Sequence, residues 1–184
     1  SQTKECMDQP LHVLLDAACT QRDASRELID ALAAVQNVDV NEAEAWADQL
    51  RKEAASPQSD RRIQVMALVG FVCLANAPLA MGLVDASLFD MLASLTNTSS
   101  NEIETCAMAH LLSEGASHTA LRSKLATRPS IEHWLSAHAQ ISVTDERVQV
   151  CLDLMRIKFA IGTNKTQHAP VSYTHLTLPT ICSV

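Results

Sequence analysis

Apolar residues recur along this chain at spacings of three and four, the period of helices that bury one face. Leu11 to Ala18 is the first such run, and Leu28, Ile29, Leu32 and Val35 follow, with Asp23 placed to cap them. A third helix is expected from Asn41, with Glu42 and Glu44 in its first turn and Arg51 and Lys52 near its end. That is the order the helix dipole favours. Ser56-Pro57-Gln58-Ser59 is a break, after which Asp60 is the expected cap of a long apolar helix that Pro78 interrupts. Asp85 is expected to open a short helix through Leu88 and Leu92, ended by the polar run Thr96 to Asn101. Glu102 to Ser113 reads as a helix closed by Gly115, and Ser117 to Ala126 as the next. Thr127-Arg128-Pro129-Ser130 introduces a short helix bearing Ile131, Trp134 and Leu135. Thr144-Asp145 caps the last long helix, Arg147 to Ile161, with Gly162 at its end. No period-two strand is legible in residues 1–162.

The helices echo one another. Leu88 and Leu92 match Ile131 and Leu135 at an offset of 43, Ala67 matches Ala107 at 40, and Cys106 matches Cys151 at 45. Periods of about 40–47 residues are those of armadillo and HEAT repeats. One such unit cannot bury its own apolar face, so neighbours stack and share a core. The expected fold is therefore all-α: an armadillo/HEAT-like right-handed α-solenoid of about three to four partial repeats over residues 1–162. Cut ends of such a stack expose apolar faces, so the isolated chain is expected to associate or to be marginally stable. Trp134, at helical spacing with Ile131 and Leu135, is expected in the core.

Composition agrees. Four glycines in 184 residues fall far below the roughly 7% usual in proteins, too few for the tight turns of a sheet protein. Residues 1–60 carry 12 acidic and 5 basic side chains, whereas the remainder is balanced. An acidic-to-neutral surface disfavours nucleic acid, and the acidic block reads as a solvated helical face. The 22 uncharged residues from Ile63 to Val84 have the length of a membrane span. Gln64, Asn76 and Pro78 argue instead for a buried pair of helices. After Gly162 the composition changes to Ser, Thr and β-branched residues, and SYTHLTLPT resembles a translated sequencing adaptor. Residues 163–184 are expected to be a disordered, non-native tail. The first residue is Ser1, so the chain is expected to be a fragment of a longer protein.

Chemistry is sparse. Six cysteines lack C-x-x-C spacing, and Cys73, Cys106 and Cys151 sit among apolar helical residues, where reduced, buried thiols are expected. His133 and His138 are five apart, the wrong interval for a zinc helix, and are expected on a wet surface. No nucleophile elbow, phosphate loop, dinucleotide fingerprint or H-E-x-x-H is present, so no catalytic, cofactor or metal residues are expected. Glu102 and Glu104 are expected to serve the helix dipole. Arg122, Lys124, Arg128, Arg147, Arg156 and Lys158 form a candidate partner-binding patch, should the last helices line one surface, with solvated helix faces as the plainer alternative.

The order of segments resembles the central armadillo-repeat region of the UCS-domain myosin chaperones. The likeness runs through the apolar helix at Arg62-Ile63-Gln64-Val65-Met66-Ala67-Leu68-Val69, then Ala80 to Leu92, then Ala109 to Ala116. It continues through Leu121-Arg122-Ser123-Lys124-Leu125-Ala126, Ile131-Glu132-His133-Trp134-Leu135 and the closing helix from Val148. It covers about residues 11–162. Arg122 with the Trp134-Leu135 pair is its most specific point, and residues 1–55 match least well. The resemblance implies a cytoplasmic co-chaperone of the myosin motor domain, working beside the ninety-kilodalton heat-shock chaperone. This piece would be the platform or spacer between the separate domains that engage them. A generic armadillo/HEAT scaffold, such as a transport or signalling adaptor, is the alternative. No binding residue is carried over from the family.

Overall fold

A single asparagine divides the longest uncharged stretch of the chain. The structure, a computed structural model, describes residues 33–141 and 143–162. Residues 33–36 end a helix, and Val40–Glu42 make one 3₁₀ turn. Eight helices follow: α1 (Ala43–Ala54), α2 (Ser59–Ala75), α3 (Ala77–Asp85), α4 (Leu88–Asn97), α5 (Glu102–Gly115), α6 (Thr119–Ala126), α7 (Pro129–Ala137) and α8 (Glu146–Gly162). Among the described residues there is no strand, and the fold is all-α as the periodicity predicts. The helices expected at 11–18 and, apart from its last turn, at 23–35 lie outside the described residues, as does the tail.

Asn76 makes the break. Its side-chain oxygen accepts the Leu79 amide at 3.1 Å and so caps α3, whose first turn contains Pro78. Its amide donates to the carbonyls of Val35 and Val38 at 2.9 and 3.0 Å. One buried polar residue thus ends α2, starts α3 and ties down the chain ahead of α1. Asn101 and Asp145 cap their helices through the amides of Ile103 and Arg147.

Four expected boundaries shift, each for a local reason. Asn41, the expected helix start, falls in the 3₁₀ turn that Asp39 caps by accepting the Asn41 amide, and α1 begins at Ala43. α2 starts at Ser59 with Gln58 at its N-cap, which leaves Asp60 in the first turn, where a carboxylate suits the dipole. Asp85 does not open α4; it ends α3, and its misplaced charge is met by Lys124 at 2.5 Å. The α3–α4 junction instead uses Ser87 at φ 63°, the left-handed region, with its hydroxyl bound by Arg128 at 2.9 Å. Gly115 lies inside the last turn of α5 rather than past it. A Cβ there would stand 2.8 Å from Leu125 Cδ1, so close packing of α6 explains this glycine.

Packing follows one rule: helices of like length lie on one another. The long helices stack α2 on α5 on α8, and the short ones pair α3 with α6 and α4 with α7. α1 packs on α4, α2 and α3. α3 crosses α1 so closely that a Cβ on Gly82 would fall 2.5 Å from the Ala43 methyl. α5, between two long neighbours, buries both faces: Met108, Leu111 and Leu112 are inaccessible, as are Val65, Val69 and Val72 of α2. This is why these helices carry apolar residues all round rather than on one stripe.

Candidate protein-binding surfaces

Polar contacts between helices repeat the same interval. Arg62 on α2 meets Glu104 on α5, 42 residues on, at 3.0 Å. The Trp134 indole on α7 donates to Thr96 Oγ1 on α4, 38 residues back, at 3.0 Å. Arg128 meets Asp90 at the same interval of 38, at 2.5 Å. Cys106 and Cys151 face each other across α5 and α8, 45 apart, and Lys158 reaches the Ser113 carbonyl at the same interval. Early residues meet early residues and late meet late, so stacked helices run parallel. The Leu88/Leu92 and Ile131/Leu135 echo falls on α4 and α7, which are indeed packed together.

The six basic residues divide. Lys124 and Arg128 are fastened to Asp85 and Asp90, bracing α6 and α7 against α3 and α4. Arg156 donates to the carbonyls of His138 and Ile141, closing the end of α7. Lys158 binds the Ser113 carbonyl and the Ser117 hydroxyl at the α5–α6 turn. Arg147 is exposed and pairs with Asp145 two residues away. Arg122 is half-buried on α6. Four of these cations, Lys124, Arg128, Arg156 and Lys158, therefore serve bonds between parts of the chain itself.

His138 departs from its expected wet surface, whereas His133 is exposed. The His138 ring stacks on Trp134 with centroids 3.9 Å apart, and its Nδ1 lies 2.8 Å from the Trp134 carbonyl. Burial pushes its pKa below the usual 6.5, with nearby Arg156 acting in the same direction and the Trp134 carbonyl opposing. The unfolded chain therefore binds this proton more readily than the folded one. Stability from the neutral ring is complete above about pH 6.5 and is lost as pH falls from there through the lower folded-state value. Thermal melts between pH 7.5 and 5 should show a fall that His138→Gln reduces; equal slopes in both proteins would refute the assignment.

α8 carries two apolar faces. Val148, Leu152, Met155 and Phe159 are buried against the rest of the molecule. On the opposite face Val150, Leu154 and Ile157 are 56%, 49% and 50% exposed, an i, i+4, i+7 stripe on one helix. On α5 the side that meets α8 carries Cys106 and Ser113.

No protein-family model, curated protein or solved structure matches this chain. Its own geometry carries the functional reading. Among the described residues no group of three or more His, Cys, Asp or Glu is placed to hold a metal ion. None of the described helices is alone long and apolar enough to cross a membrane. Ala77–Asp85 and Leu88–Asn97 reach that length and composition only together, bent by 69°. Their large apolar residues Leu79, Leu83, Leu88, Phe89 and Leu92 are all buried in the core.

Three side chains gain roles that sequence reasoning missed. Glu104, expected to serve the dipole, is buried against Arg62. Cys106 and Cys151, expected as separate buried thiols, are half-exposed and in contact at 3.2 Å, while Cys73 alone of the three is wholly buried. The signal for Glu104 was an arginine beside an uncharged run; for the cysteine pair it was the 45-residue echo.

Proposed function

We propose that the helices are consecutive units of a right-handed armadillo- or HEAT-like α-solenoid that works by holding other polypeptide rather than by catalysis. The observation that carries this is the open apolar stripe Val150, Leu154 and Ile157 on α8, opposite its buried face. The parallel register of 38 to 45 residues between stacked helices supports it. An amphipathic segment of a partner laid against this stripe would bury it.

Within that reading, the resemblance of residues 11–162 to the central region of the UCS-domain myosin chaperones favours a cytoplasmic platform or spacer of a myosin-directed co-chaperone. Its partners would be the myosin motor domain and the ninety-kilodalton heat-shock chaperone. The test uses the intact chain and a purified myosin motor domain. Calorimetric titration should give saturable binding, heat-induced aggregation of the motor should be suppressed, and Leu154→Glu should weaken both. The free chain should also melt at a concentration-dependent temperature, because the open stripe self-associates. A chain that melts as a monomer at every concentration and leaves the motor unbound and unprotected would overturn the proposal.

A further inference from the structure

Cys106 and Cys151 lie in the second turns of two parallel, touching helices, α5 and α8. Their sulfurs stand 3.2 Å apart, inside van der Waals contact, and both side chains are half-exposed. A disulfide has its sulfurs at about 2.05 Å, so closure requires about 1 Å of approach. The parallel register of the helices supplies the alignment: Ser113 and Lys158, the same 45 residues apart, are hydrogen-bonded two turns further along. Burial, followed by the hydrogen bond to Cys151, pushes the Cys106 thiol up to about 12; Asp145 acts in the same direction and Arg147 against it. The Cys106 S–H donates to Cys151 Sγ. Cys73 is also held near 12, by burial and Glu114, but it is shut inside the core and remains inert.

The geometry points to Cys106 and Cys151 as a modification site, a thiol pair that peroxide-class oxidants close into a reversible cross-link between α5 and α8. Cys151 sulfur attacks one peroxide oxygen and the O–O bond breaks, giving a sulfenic acid at Cys151 and one water from the other oxygen. Cys106 sulfur then attacks Cys151 sulfur. The S–O bond breaks and the hydroxyl departs with the Cys106 proton as a second water. Two electrons pass from the two sulfurs to the peroxide, and two equivalents of a small thiol return them. The bond bolts to α5 the helix that carries Val150, Leu154 and Ile157, so redox state would govern how firmly the open stripe is held. That consequence rests on the proposed role of the stripe, whereas the cross-link does not.

The test takes the intact chain, reduced and then exposed to hydrogen peroxide. Free thiols are alkylated without reduction, and peptides are mapped by fragmentation. The expected product is a Cys106–Cys151 link that a small thiol removes and that is missing from Cys106→Ser and Cys151→Ser. Dimedone should label Cys151 in the Cys106→Ser chain. Amide exchange over α8 should slow by about tenfold or more in the oxidised protein, from restricted local opening. Both thiols remaining alkylatable after peroxide, or Cys106 linked chiefly to another cysteine, would overturn the inference. These readouts use no partner, so they stand or fall separately from binding at the stripe.

Discussion

Trp134→Ala is expected to cost about 3–5 kcal/mol of folding stability, or roughly 10 °C in melting temperature for a chain of this size. The indole is wholly buried and joins three elements. It fills the α4–α7 contact, and its N–H binds Thr96 Oγ1, which itself donates to the Leu92 carbonyl at 2.8 Å. Its ring also supports His138, whose carbonyl receives Arg156 from α8 at 2.7 Å. Truncation leaves a cavity at the centre of this chain of contacts and frees α7 from both neighbours. Trp134→Phe keeps most of the ring but loses the hydrogen bond, so it should cost only about 1–2 kcal/mol. Urea unfolding at pH 7.5 separates the two. Equal losses in both variants would place the energy in the hydrogen bond, and a loss below about 1 kcal/mol for alanine would show that the site collapses without a cavity.

The same residue illustrates what the sequence makes legible. Ile131, Trp134 and Leu135 at helical spacing mark an apolar face, and burial of Trp134 follows from that spacing alone. Helix number and order over residues 40–162 follow likewise from periodicity, from Pro57, Pro78 and Pro129, and from the polar run at Thr96 to Asn101. Which helices meet is also written in the chain, because echoes at 43 and 45 residues mark the partners α4 with α7 and α5 with α8. Boundaries were less readable. Asp85 has the side chain of a cap yet ends a helix, since Lys124, 39 residues on, neutralises it there. Gly115 has the identity of a helix stop yet is required by a leucine from α6.

Side-chain pairing was the least legible layer. The partners of Lys124 and Arg128 lie about 40 residues earlier, and those of Arg156 and Lys158 are largely backbone carbonyls. Charge patterning within a helix does not reveal them. Exposure has the same character. Val150, Leu154 and Ile157 are no more apolar than the buried Val148, Leu152 and Met155, and only packing in the folded chain distinguishes the two faces.

Replacing Arg62 by methionine should be about as damaging as losing Trp134, at about 3–5 kcal/mol, for an electrostatic reason. Glu104 is only 2% exposed, and one of its oxygens already lacks a hydrogen-bond partner. The other is held by Arg62, which also donates to the Ala54 carbonyl at the end of α1. Without the guanidinium, a carboxylate would remain between α2 and α5 with nothing to offset its lost hydration. The pair itself is a poor source of net stability, because both charges give up water to form it. Arg62→Met combined with Glu104→Leu should therefore recover most of the loss, and a double-mutant cycle should give a coupling of about 2–3 kcal/mol. If the double variant is as unstable as Arg62→Met alone, the arginine acts through its contact with α1 rather than through the carboxylate. Full recovery would mean that the ion pair fixes the register of α2 on α5 at little net gain in stability, leaving apolar burial as the force that holds the stack together.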